Sequence, residues 1–379
     1  MQLVDICELI VDCEHKTAPT QASGYPSIRT PNIGRGRFLL DGVNRVSEET
    51  YQRWTARAVP QAGDLIMARE APVGNVAMIA DGLRPCLGQR TLLIRPDRTK
   101  VEPSFLNYFL NGPYVQGLIH AKTNGATVAH LNMKDVRTMD LPGLPPMAEQ
   151  KRIAGILSTY DELIENSQQR IKILEEMARS LYREWFVHFR FPFHEKLPRV
   201  TSSLGDIPQG WEVGRLDDVL ILQRGFDLPK AERVEGAVPI YAATGVTGYH
   251  IEAKVKAPGV VTGRSGTIGD VRYVQEDFWP LNTALWVKEF PKSEPLYAYY
   301  VLLSLDLKQF NSGAAVPTLN RNDVHGVEVL VPPRSLQKRF QKIAGAMHTQ
   351  TRTLEIQIEN LCKTRDLLLP RLLSGRAFL

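Results

Sequence analysis

The chain has 379 residues, of which 43% are hydrophobic and 23% charged, and its formal net charge is +5 at pH 7. This length can bury two sizeable cores, the composition is that of an ordinary globular protein, and no apolar run is long enough to cross a membrane. The first residues do not resemble a secretory leader, and the four cysteines show neither a CxxC pair nor zinc-ligand spacing. We therefore expect a cytoplasmic protein without disulfides.

Residues 1–143 predict a first domain with an irregular, mostly β core and a few helices. Strand-like runs at residues 64–68, 76–79 and 91–94 are separated by glycines and prolines, and residues 104–110 predict a short helix. The regular alternation of strands and helices that is typical of a doubly wound sheet is not visible in this segment.

Residues 144–190 predict one long helix. Pro145 and Pro146 precede it, and a proline at the first helical position loses no hydrogen bond. Apolar or small residues then recur at alternating steps of four and three, which is a heptad seam that lets one helix lie along another. The apolar seam residues are Ile153, Leu157, Tyr160, Ile164, Ile171, Leu174 and Leu181, and the pattern is completed by Ser167, Ala178 and Trp185.

The second half of the chain repeats the first. Residues 191–210 contain many prolines and glycines, which predicts a linker in extended form without regular structure. Residues 211–331 then predict a second domain, because residues 258–264 can be aligned with residues 63–69 of the first domain. The loops between the aligned strands differ, as expected of two copies that share a scaffold and differ in specificity.

Residues 332–379 predict a second long helix, which begins after Pro332 and Pro333 and contains nine Lys or Arg against three Asp or Glu. Each position of its seam lies 187 residues after the corresponding position of the first seam (340 − 153 = 187). The apolar members are Phe340, Met347, Leu354, Ile358, Leu361, Leu368 and Leu372, with Ala344, Thr351 and Arg365 between them. Because an arginine on a seam is costly without a partner, we expect Arg365 to lie near a seam end, to extend its charged end into water, or to meet an acidic partner such as Glu162 or Glu165.

Several duplicated motifs have the same order in both halves. Leu-Asn-x-x-Asp-Val begins at Leu131 and again at Leu319, and each proline pair is followed by Gln-Lys-Arg, at residues 150–152 and 337–339. With Gly-Trp-Glu-Val at residues 210–213, this set resembles the specificity subunit of type I restriction-modification systems. The resemblance covers essentially the whole chain.

The resemblance implies an α+β fold. Two similar, mixed α/β target recognition domains with irregular β cores would be joined by two long antiparallel coiled-coil helices, in an internal pseudo-twofold repeat. Each domain would recognise one half of a bipartite, asymmetric site in double-stranded DNA. The helices would set the unread spacer and bind two methyltransferase subunits, and restriction subunits would join them.

The same resemblance implies a non-catalytic chain that binds no cofactor. S-adenosylmethionine, ATP and Mg would be bound by the partner subunits of a complex that methylates adenine and cleaves DNA. The alternatives are a stand-alone DNA-modifying enzyme and a coiled-coil adaptor. Against the enzyme, neither proline pair follows Asn or Asp or precedes an aromatic residue, as a methyltransferase motif requires, and no glycine-rich cofactor loop follows a strand. Against the adaptor, two elaborate domains with basic loops would have no use.

Arg69 and Arg264 occupy matching positions beside glycine-rich turns. Each has two interpretations, contact with guanine or phosphate on one side and a structural role in the turn on the other. Other donor-rich side chains lie where the copies differ, as residues that recognise different bases should. These DNA-binding candidates, each also compatible with a plain surface role, are Lys16, Arg35, Arg37, Gln89, Arg90, Lys122, Asn124, Arg224, Lys254, Lys256, Lys308 and Asn311.

Three further features are not expected to be catalytic. Asn132 and Asn320 follow leucine in the duplicated motif and are expected to cap the next helix. Asp12, His15 and Lys16 have neither a nucleophile nor metal-ligand spacing near them, so a DNA-facing or hydrogen-bonding loop is expected there. Residues 265–269 lack the Gly-Lys-Ser/Thr ending of a nucleotide-binding loop and predict a tight turn.

Overall fold

The computed structural model describes residues 1–123, 129–313 and 316–373. The chain divides into two compact units: the first comprises Met1–Glu165 with Ile358–Leu379, and the second comprises Asn166–Gln357. Both long helices therefore contribute residues to each unit. No helix in the described ranges has the length and apolarity needed to cross a membrane.

The first unit contains two sheets. A four-stranded antiparallel sheet has the order β1-β7-β4-β5, and a three-stranded sheet has the order β3-β2-β6, with β2 and β6 parallel. The three strands predicted from the sequence are confirmed as β4, β5 and β7. The strands are β1 (Cys7–Asp12), β2 (Tyr25–Ile28), β3 (Arg45–Val46), β4 (Leu65–Ala68), β5 (Val76–Met78), β6 (Cys86–Leu87) and β7 (Thr91–Pro96).

Helices cover the larger sheet of the first unit. The predicted helix at residues 104–110 is confirmed, and its Phe105 is fully buried in one core with Met67 and Ile94 of the sheet. The long helix starts from the same core, in which Ile153 and Leu157 are buried. The helices are α1 (Glu48–Trp54), α2 (Pro103–Asn111), α3 (Pro113–Ala121), α4 (Met133–Arg137) and α5 (Met147–Tyr182), and α5 continues into a π-helical turn at Arg183–Val187.

The second unit has the same arrangement of strands. Its four-stranded antiparallel sheet has the order β11-β17-β14-β15, and its three-stranded sheet has the order β13-β12-β16, with β12 and β16 parallel. The strands are β8 (Arg199–Ser202), β9 (Gly205–Pro208), β10 (Glu212–Arg215), β11 (Ile221–Arg224), β12 (Val238–Ala242), β13 (Gly245–His250), β14 (Gly259–Gly263), β15 (Val271–Val274), β16 (Trp279–Pro280), β17 (Ala284–Glu289) and β18 (Glu328–Val331). The predicted internal repeat is thus confirmed at the level of strand order.

Strands β4 and β14 are the aligned central strands of the two sheets, and every residue of both is buried. Burial on both faces explains why they are continuous apolar runs and not alternating ones. At the end of β14, Gly263 is required by space, because a Cβ there would lie 1.6 Å from the carbonyl oxygen of Thr267. The absence of a side chain lets the following loop fold back onto the strand.

The helices of the second unit also follow those of the first. Helix α7 follows the last strand of its sheet as α2 does, and α8 begins directly after the second Leu-Asn pair as α4 does after the first. The second long helix is 40 residues long and includes Pro370 near its end. The helices are α6 (Leu216–Val219), α7 (Pro295–Ser304), α8 (Arg321–His325) and α9 (Arg334–Leu373).

The long helices are antiparallel within each unit. In the first unit, the start of α5 shares its core with Leu372 at the end of α9, and further along the pair Asp161 bonds to Arg365. In the second unit, Tyr182 at the end of α5 packs against Phe340 near the start of α9, with ring centroids 6.1 Å apart. Residue numbers rise along one helix as they fall along the other, in agreement with the predicted antiparallel pair.

The prediction of an irregular linker at residues 191–210 is wrong. Strands β8 and β9 form an antiparallel hairpin there, and Gly205 has a left-handed φ of 93° in its turn. Ser202 stabilises the turn, because its hydroxyl donates to the carbonyl of Gly205 and accepts from the N–H of Leu204. The glycine and serine that suggested an extended segment are turn residues, and glycine is used for its positive φ.

Candidate functional site

The side chain of Arg69 is almost completely enclosed. Only 8% of it is exposed, and each nitrogen of the guanidinium has a partner. Nε donates to the carbonyl of Leu131 at 2.9 Å, Nη1 bonds to Asp12 at 2.7 Å, and Nη2 lies 3.1 Å from Nε2 of His130. Because every nitrogen of the guanidinium is bound inside the unit, the structure favours the structural interpretation of Arg69 over the predicted DNA contact.

A hydrogen-bonded chain extends from Arg69 to the surface. Arginine only donates, so Nε2 of His130 must accept, which makes this imidazole neutral with its proton on Nδ1. Nδ1 then donates to Glu70 at 2.9 Å, and the other oxygen of Glu70 accepts from Arg90 at 2.8 Å. The carboxylate of Glu70 is 15% exposed and Arg90 is 61% exposed, so the chain ends in an accessible cation.

This chain lines a small cleft of about 300 Å³ in the first unit. Gln89 and His15 complete the lining, and the amide of Gln89 donates to the carbonyl of His15. Arg90 has a left-handed φ of 63° in the connection between β6 and β7, and its side chain is exposed. The predicted candidates Gln89 and Arg90 therefore lie together at one polar surface, with Lys16 exposed on the loop that follows β1.

Arg264 has the same backbone position in the second unit but a different environment. It is half-buried, and among the residues that the structure describes its guanidinium has a single hydrogen-bond partner, the carbonyl of Asn282 at 3.2 Å. In the loop that follows Arg264, residues 266–270 line a wider cleft of about 610 Å³, together with Lys308 and Asn311. The expectation of a tight turn is wrong here, because residues 264–269 form an open loop without a hydrogen-bonded turn, and the N–H of Gly266 donates to the carbonyl of Pro317.

Lys308 and Asn311 have different roles in this cleft. Lys308 is exposed, and its aliphatic carbons lie beside Gly269. The side-chain oxygen of Asn311 accepts from the backbone N–H groups of Gly313 and Thr318 at 3.0 and 2.9 Å. Asn311 therefore shapes the loop with its oxygen, and only its amide nitrogen remains as a donor toward the cleft.

The other basic candidates lie on exposed surface. Arg224 is 3.4 Å from Asp227, Lys254 bonds to Glu252 and packs over Trp279, and Lys256 bonds to Asp277. Exposed ion pairs of this kind contribute little to stability and exchange readily for phosphate. Arg35 and Arg37 are exposed in the turn after β2, Lys122 is half-buried at the end of α3, and Asn124 lies outside the described residues.

Asp12, Cys13 and His15 have ligand atoms within 4.8 Å of one another. The carboxylate of Asp12 is already bound to Arg69, and His15 lies 3.1 Å from the same carboxylate oxygen. Burial raises the pKa of the Cys13 thiol, which disfavours the thiolate that a metal requires. The cluster thus positions Arg69, which fits the hydrogen-bonding alternative that the sequence left open for Asp12.

Gln150 and Gln337 are structural residues whose role the sequence analysis missed. Both side chains are buried at the start of the long helices. The oxygen of Gln150 accepts from the N–H of Glu102 at 2.9 Å, and its nitrogen donates to the carbonyl of Pro145. Gln337 makes the same two bonds, to the N–H of Glu294 at 2.8 Å and the carbonyl of Pro332. The only signal in the sequence was the duplicated Gln-Lys-Arg.

All predicted seam positions of α5 and α9 are buried or half-buried. The acidic partner expected for Arg365 is present, but it is Asp161 at 2.6 Å, and neither of the two glutamates proposed. The second oxygen of Asp161 accepts from the hydroxyl of Tyr108 at 2.6 Å, so α2, α5 and α9 meet at one carboxylate. The exposed fraction of the Arg365 side chain is 28%, which leaves part of its charge in water.

The expected cap is present at Asn320, whose side chain accepts from the N–H of Asn322. Asn132 occupies the same position before α4, but its side chain makes no capping hydrogen bond to a described residue. The main chain keeps both copies alike here, because the N–H of Leu131 donates to the carbonyl of Arg69 and that of Leu319 to the carbonyl of Arg264. The duplicated motif therefore fixes the turn beside each cleft.

Comparisons with known proteins agree with this architecture. The family model described as type I restriction modification DNA specificity domain matches residues 1–176 and 208–362. The chain is 26% identical over 363 residues to the type I restriction enzyme MjaIX specificity subunit of Methanocaldococcus jannaschii, covering 89% of this chain and 83% of that one. It is 22% identical over 442 residues to the HindI specificity subunit of Haemophilus influenzae, covering 93% and 95%.

A solved structure has the same fold. The crystal structure of the type I restriction-modification S subunit from M. genitalium matches with a TM-score of 0.66 at 18% identity, and the match covers 98% of this chain and 95% of that chain. At this level of identity the match concerns the fold alone.

Proposed function

Because the chain belongs to the family of type I restriction-modification DNA specificity domains, we propose that it is the subunit that recognises a bipartite, asymmetric site in double-stranded DNA. One half-site is assigned to each unit. The observation that supports this best is the internal repeat: the two sheets have the same strand order, but the side chains around the equivalent arginines, Arg69 and Arg264, differ. A shared scaffold with different polar linings is what recognition of two different sequences requires.

The long helices supply the second part of the proposal, which is assembly. Away from the seams, α5 and α9 expose large apolar side chains, which single-chain stability does not need. These residues are Leu163, Ile173, Met177, Ile343, Ile356 and Leu367. We assign them to the binding of two methyltransferase subunits, which restriction subunits join, in the cytoplasm where the host DNA lies.

Catalysis and cofactors are assigned to those partners. S-adenosylmethionine, ATP and Mg would be bound outside this chain, and the complex would methylate adenine and cleave DNA. In the first cleft, Arg69, Glu70 and Arg90 are joined through His130 in one hydrogen-bonded chain, which supports a binding role. A stand-alone enzyme would need an activated nucleophile or base aimed at open space.

Methylome sequencing tests the proposal directly. A host that expresses this chain with the methyltransferase subunit of its own system should carry one bipartite motif methylated at adenine. Replacing residues 1–143 with the first domain of another system should change one half of that motif and leave the other half unchanged. The matched control is replacement of residues 211–331, which should change only the opposite half. A continuous palindromic motif would contradict the proposal.

A further inference from the structure

Arg69 and Arg264 are equivalent by main-chain hydrogen bonding. The N–H of Arg69 donates to the carbonyl of Arg90, and that of Arg264 donates to the carbonyl of Thr283. Both arginine carbonyls accept from the leucine of the duplicated motif, as described above. The backbone therefore presents the two arginines in the same way, and any difference between their side chains has to come from the neighbouring residues.

The residue that differs between the two arginine environments lies on the first strand of each sheet. Asp12 of β1 is paired with Leu92 of β7, and Arg224 of β11 is paired with Leu285 of β17. Leu92 also pairs with Met67 of β4, two residues before Arg69, and Leu285 pairs with Thr262 of β14, two residues before Arg264. Asp12 and Arg224 thus occupy the same place in the two sheets, and the carboxylate of the first unit is replaced by a guanidinium in the second.

This replacement changes what each arginine can do. In the first unit, Asp12 binds Nη1 of Arg69 at 2.7 Å and holds the guanidinium inside the unit. In the second unit that position carries a cation in place of the carboxylate, so it offers Arg264 no acceptor. Arg224 itself leans toward Asp227.

The lost partners leave Arg264 with unused donors. Its Nη1 donates to the carbonyl of Asn282, and within the described ranges no acceptor is bound to Nε or Nη2. A half-buried guanidinium with a vacant pair of donors favours an acceptor with two oxygens or an oxygen and a nitrogen in one plane. In DNA these acceptors are O6 and N7 of guanine, or two oxygens of a phosphate.

We propose that Arg264 contacts the DNA half-site of the second unit through a two-pronged hydrogen bond, whereas Arg69 is a structural residue, and that the residue at the Asp12/Arg224 position decides between these roles. This inference rests on the proposed function, since it needs DNA as the ligand. It assigns different tasks to two residues that the internal repeat makes equivalent.

The decisive variant is Arg224→Asp, which restores in the second unit the carboxylate that Asp12 provides in the first. Arg264 should then form an ion pair with the new carboxylate and no longer contact DNA. Arg224→Ala is the matched control, because it removes the cation without supplying an acid. Each change is combined with Arg264→Ala in the full chain assembled with its methyltransferase subunits, and affinity for the methylated motif is measured as a function of salt.

In the parent chain and in the Arg224→Ala background, Arg264→Ala should weaken binding between about 5-fold and 150-fold. In the Arg224→Asp background it should change binding less than about 2-fold, because Arg264 no longer contributes there. If Arg264→Ala has an equal effect in all three backgrounds, the residue at the Asp12/Arg224 position does not decide the role of Arg264. If it has no effect in the parent chain, Arg264 does not contact DNA.

Oligonucleotides substituted in the second half-site identify the acceptor. If Arg264 binds guanine, Arg264→Ala should remove the preference for guanine at one position. If it binds phosphate, the variant should weaken binding to all sequences alike and reduce the magnitude of the slope of log K against log salt by about 1. Arg69→Gln should lower the melting temperature and leave the sequence preference of the folded fraction unchanged.

Failure of the proposed function has a different signature. If the parent complex binds all DNA sequences equally, the recognition role fails. The effect of residue 224 on Arg264 is still tested by thermal unfolding without DNA, in which Arg224→Asp should raise the melting temperature only when Arg264 is present. If the parent complex is sequence-specific but Arg264→Ala leaves binding unchanged, the proposed function stands and this inference is wrong.

Discussion

At the scale of single residues, His348 on α9 is a buried imidazole inside a cluster of tyrosines. Its Nε2 is 3.0 Å from the hydroxyl of Tyr300, and the rings of Tyr273 and Tyr299 pack at 5.2 and 5.7 Å from it. Burial lowers the pKa of His348 to about 4. The neutral ring accepts a hydrogen bond, and protonation would leave a charge among aromatic rings.

This environment makes stability depend on pH. The pKa of His348 in the folded protein lies below the value of about 6.5 of an unfolded histidine, so the unfolded state binds the proton more readily. Its contribution to stability is complete above pH 6.5 and is lost as the pH falls from about 6.5 to about 4, by on the order of 3 kcal/mol in total. Denaturant unfolding across this range should show the loss.

The control for this effect is His348→Gln, which keeps an acceptor for Tyr300 but does not titrate. Its free energy of unfolding should fall less than that of the parent chain between pH 6.5 and 4. If both proteins lost the same stability over this range, another group would be responsible for the acid sensitivity.

Residue roles were the part of the molecule that the sequence predicted least. Arg69 and Arg264 have the same sequence context, yet the side chain of Arg69 is enclosed and that of Arg264 is half-buried. The position that we propose as the cause is occupied by Asp12 in the first sheet and by Arg224 in the second. Each of these residues is far along the chain from the arginine of its own sheet, so their relation is visible only in the strand pairing. The partner of Arg365 was predicted as an acid on α5, but its identity depends on rotation about the helix axis, which sequence spacing leaves uncertain by one position.

At the scale of elements, the start of each long helix is fixed by a buried glutamine. Gln150 joins α5 to the N-cap residue of α2, and Gln337 joins α9 to the N-cap residue of α7. Replacing either by alanine would leave a buried N–H without an acceptor and remove further bonds to backbone carbonyls. We expect Gln150→Ala and Gln337→Ala to lower the free energy of unfolding by about 1–3 kcal/mol each.

Chemical denaturation of the full chain measures this loss. The adjacent Lys151→Ala and Lys338→Ala are suitable controls, because both lysines are exposed and should change stability by less than about 0.5 kcal/mol. If the glutamine variants were as stable as the lysine controls, the hydrogen bonds would not hold the helix starts, and the recurrence of glutamine in the two copies would need another reason.

Elements with a strong period were predicted correctly, and elements defined by turns were not. The heptad seams of α5 and α9 and the buried strands β4 and β14 follow from local patterns of apolar residues. The hairpin at residues 191–210 was missed, because its prolines and glycines indicate a turn and an extended crossing equally well. Its role becomes visible only in three dimensions, where Phe191 stacks on Trp211 in the core of the second unit.

At the scale of the whole molecule, the internal repeat preserves the main chain and changes the charges. Both four-stranded sheets have the same order, and in each unit the leucine of the duplicated motif donates to the carbonyl of the equivalent arginine. In the first unit the guanidinium of Arg69 is paired with the carboxylate of Asp12, whereas in the second unit that of Arg264 bonds to the carbonyl of Asn282. Such a difference suits two half-sites of different sequence, since direct recognition depends on the pattern of donors and acceptors.

The length of the long helices is expected to set the length of the spacer between the two half-sites. Helix α5 has 36 residues, so at about 1.5 Å per residue it is roughly 54 Å long. Inserting four residues near Ser167 adds about 6 Å and nearly keeps the seam in phase. At about 3.4 Å per base pair, we expect the variant to recognise the same half-sites with a spacer longer by one or two base pairs.

Methylome sequencing of a host with the insertion variant measures the new spacer. A four-residue insertion in the exposed turn at Leu204 lengthens the chain equally without lengthening a helix, so its motif should keep the original spacer. An insertion of two residues near Ser167 rotates the rest of the seam by about 200° and should abolish methylation, because apolar residues would turn toward water. If the four-residue variant methylated the original motif at the original level, the helices would not set the distance, and the spacer would have to be fixed by the partner subunits.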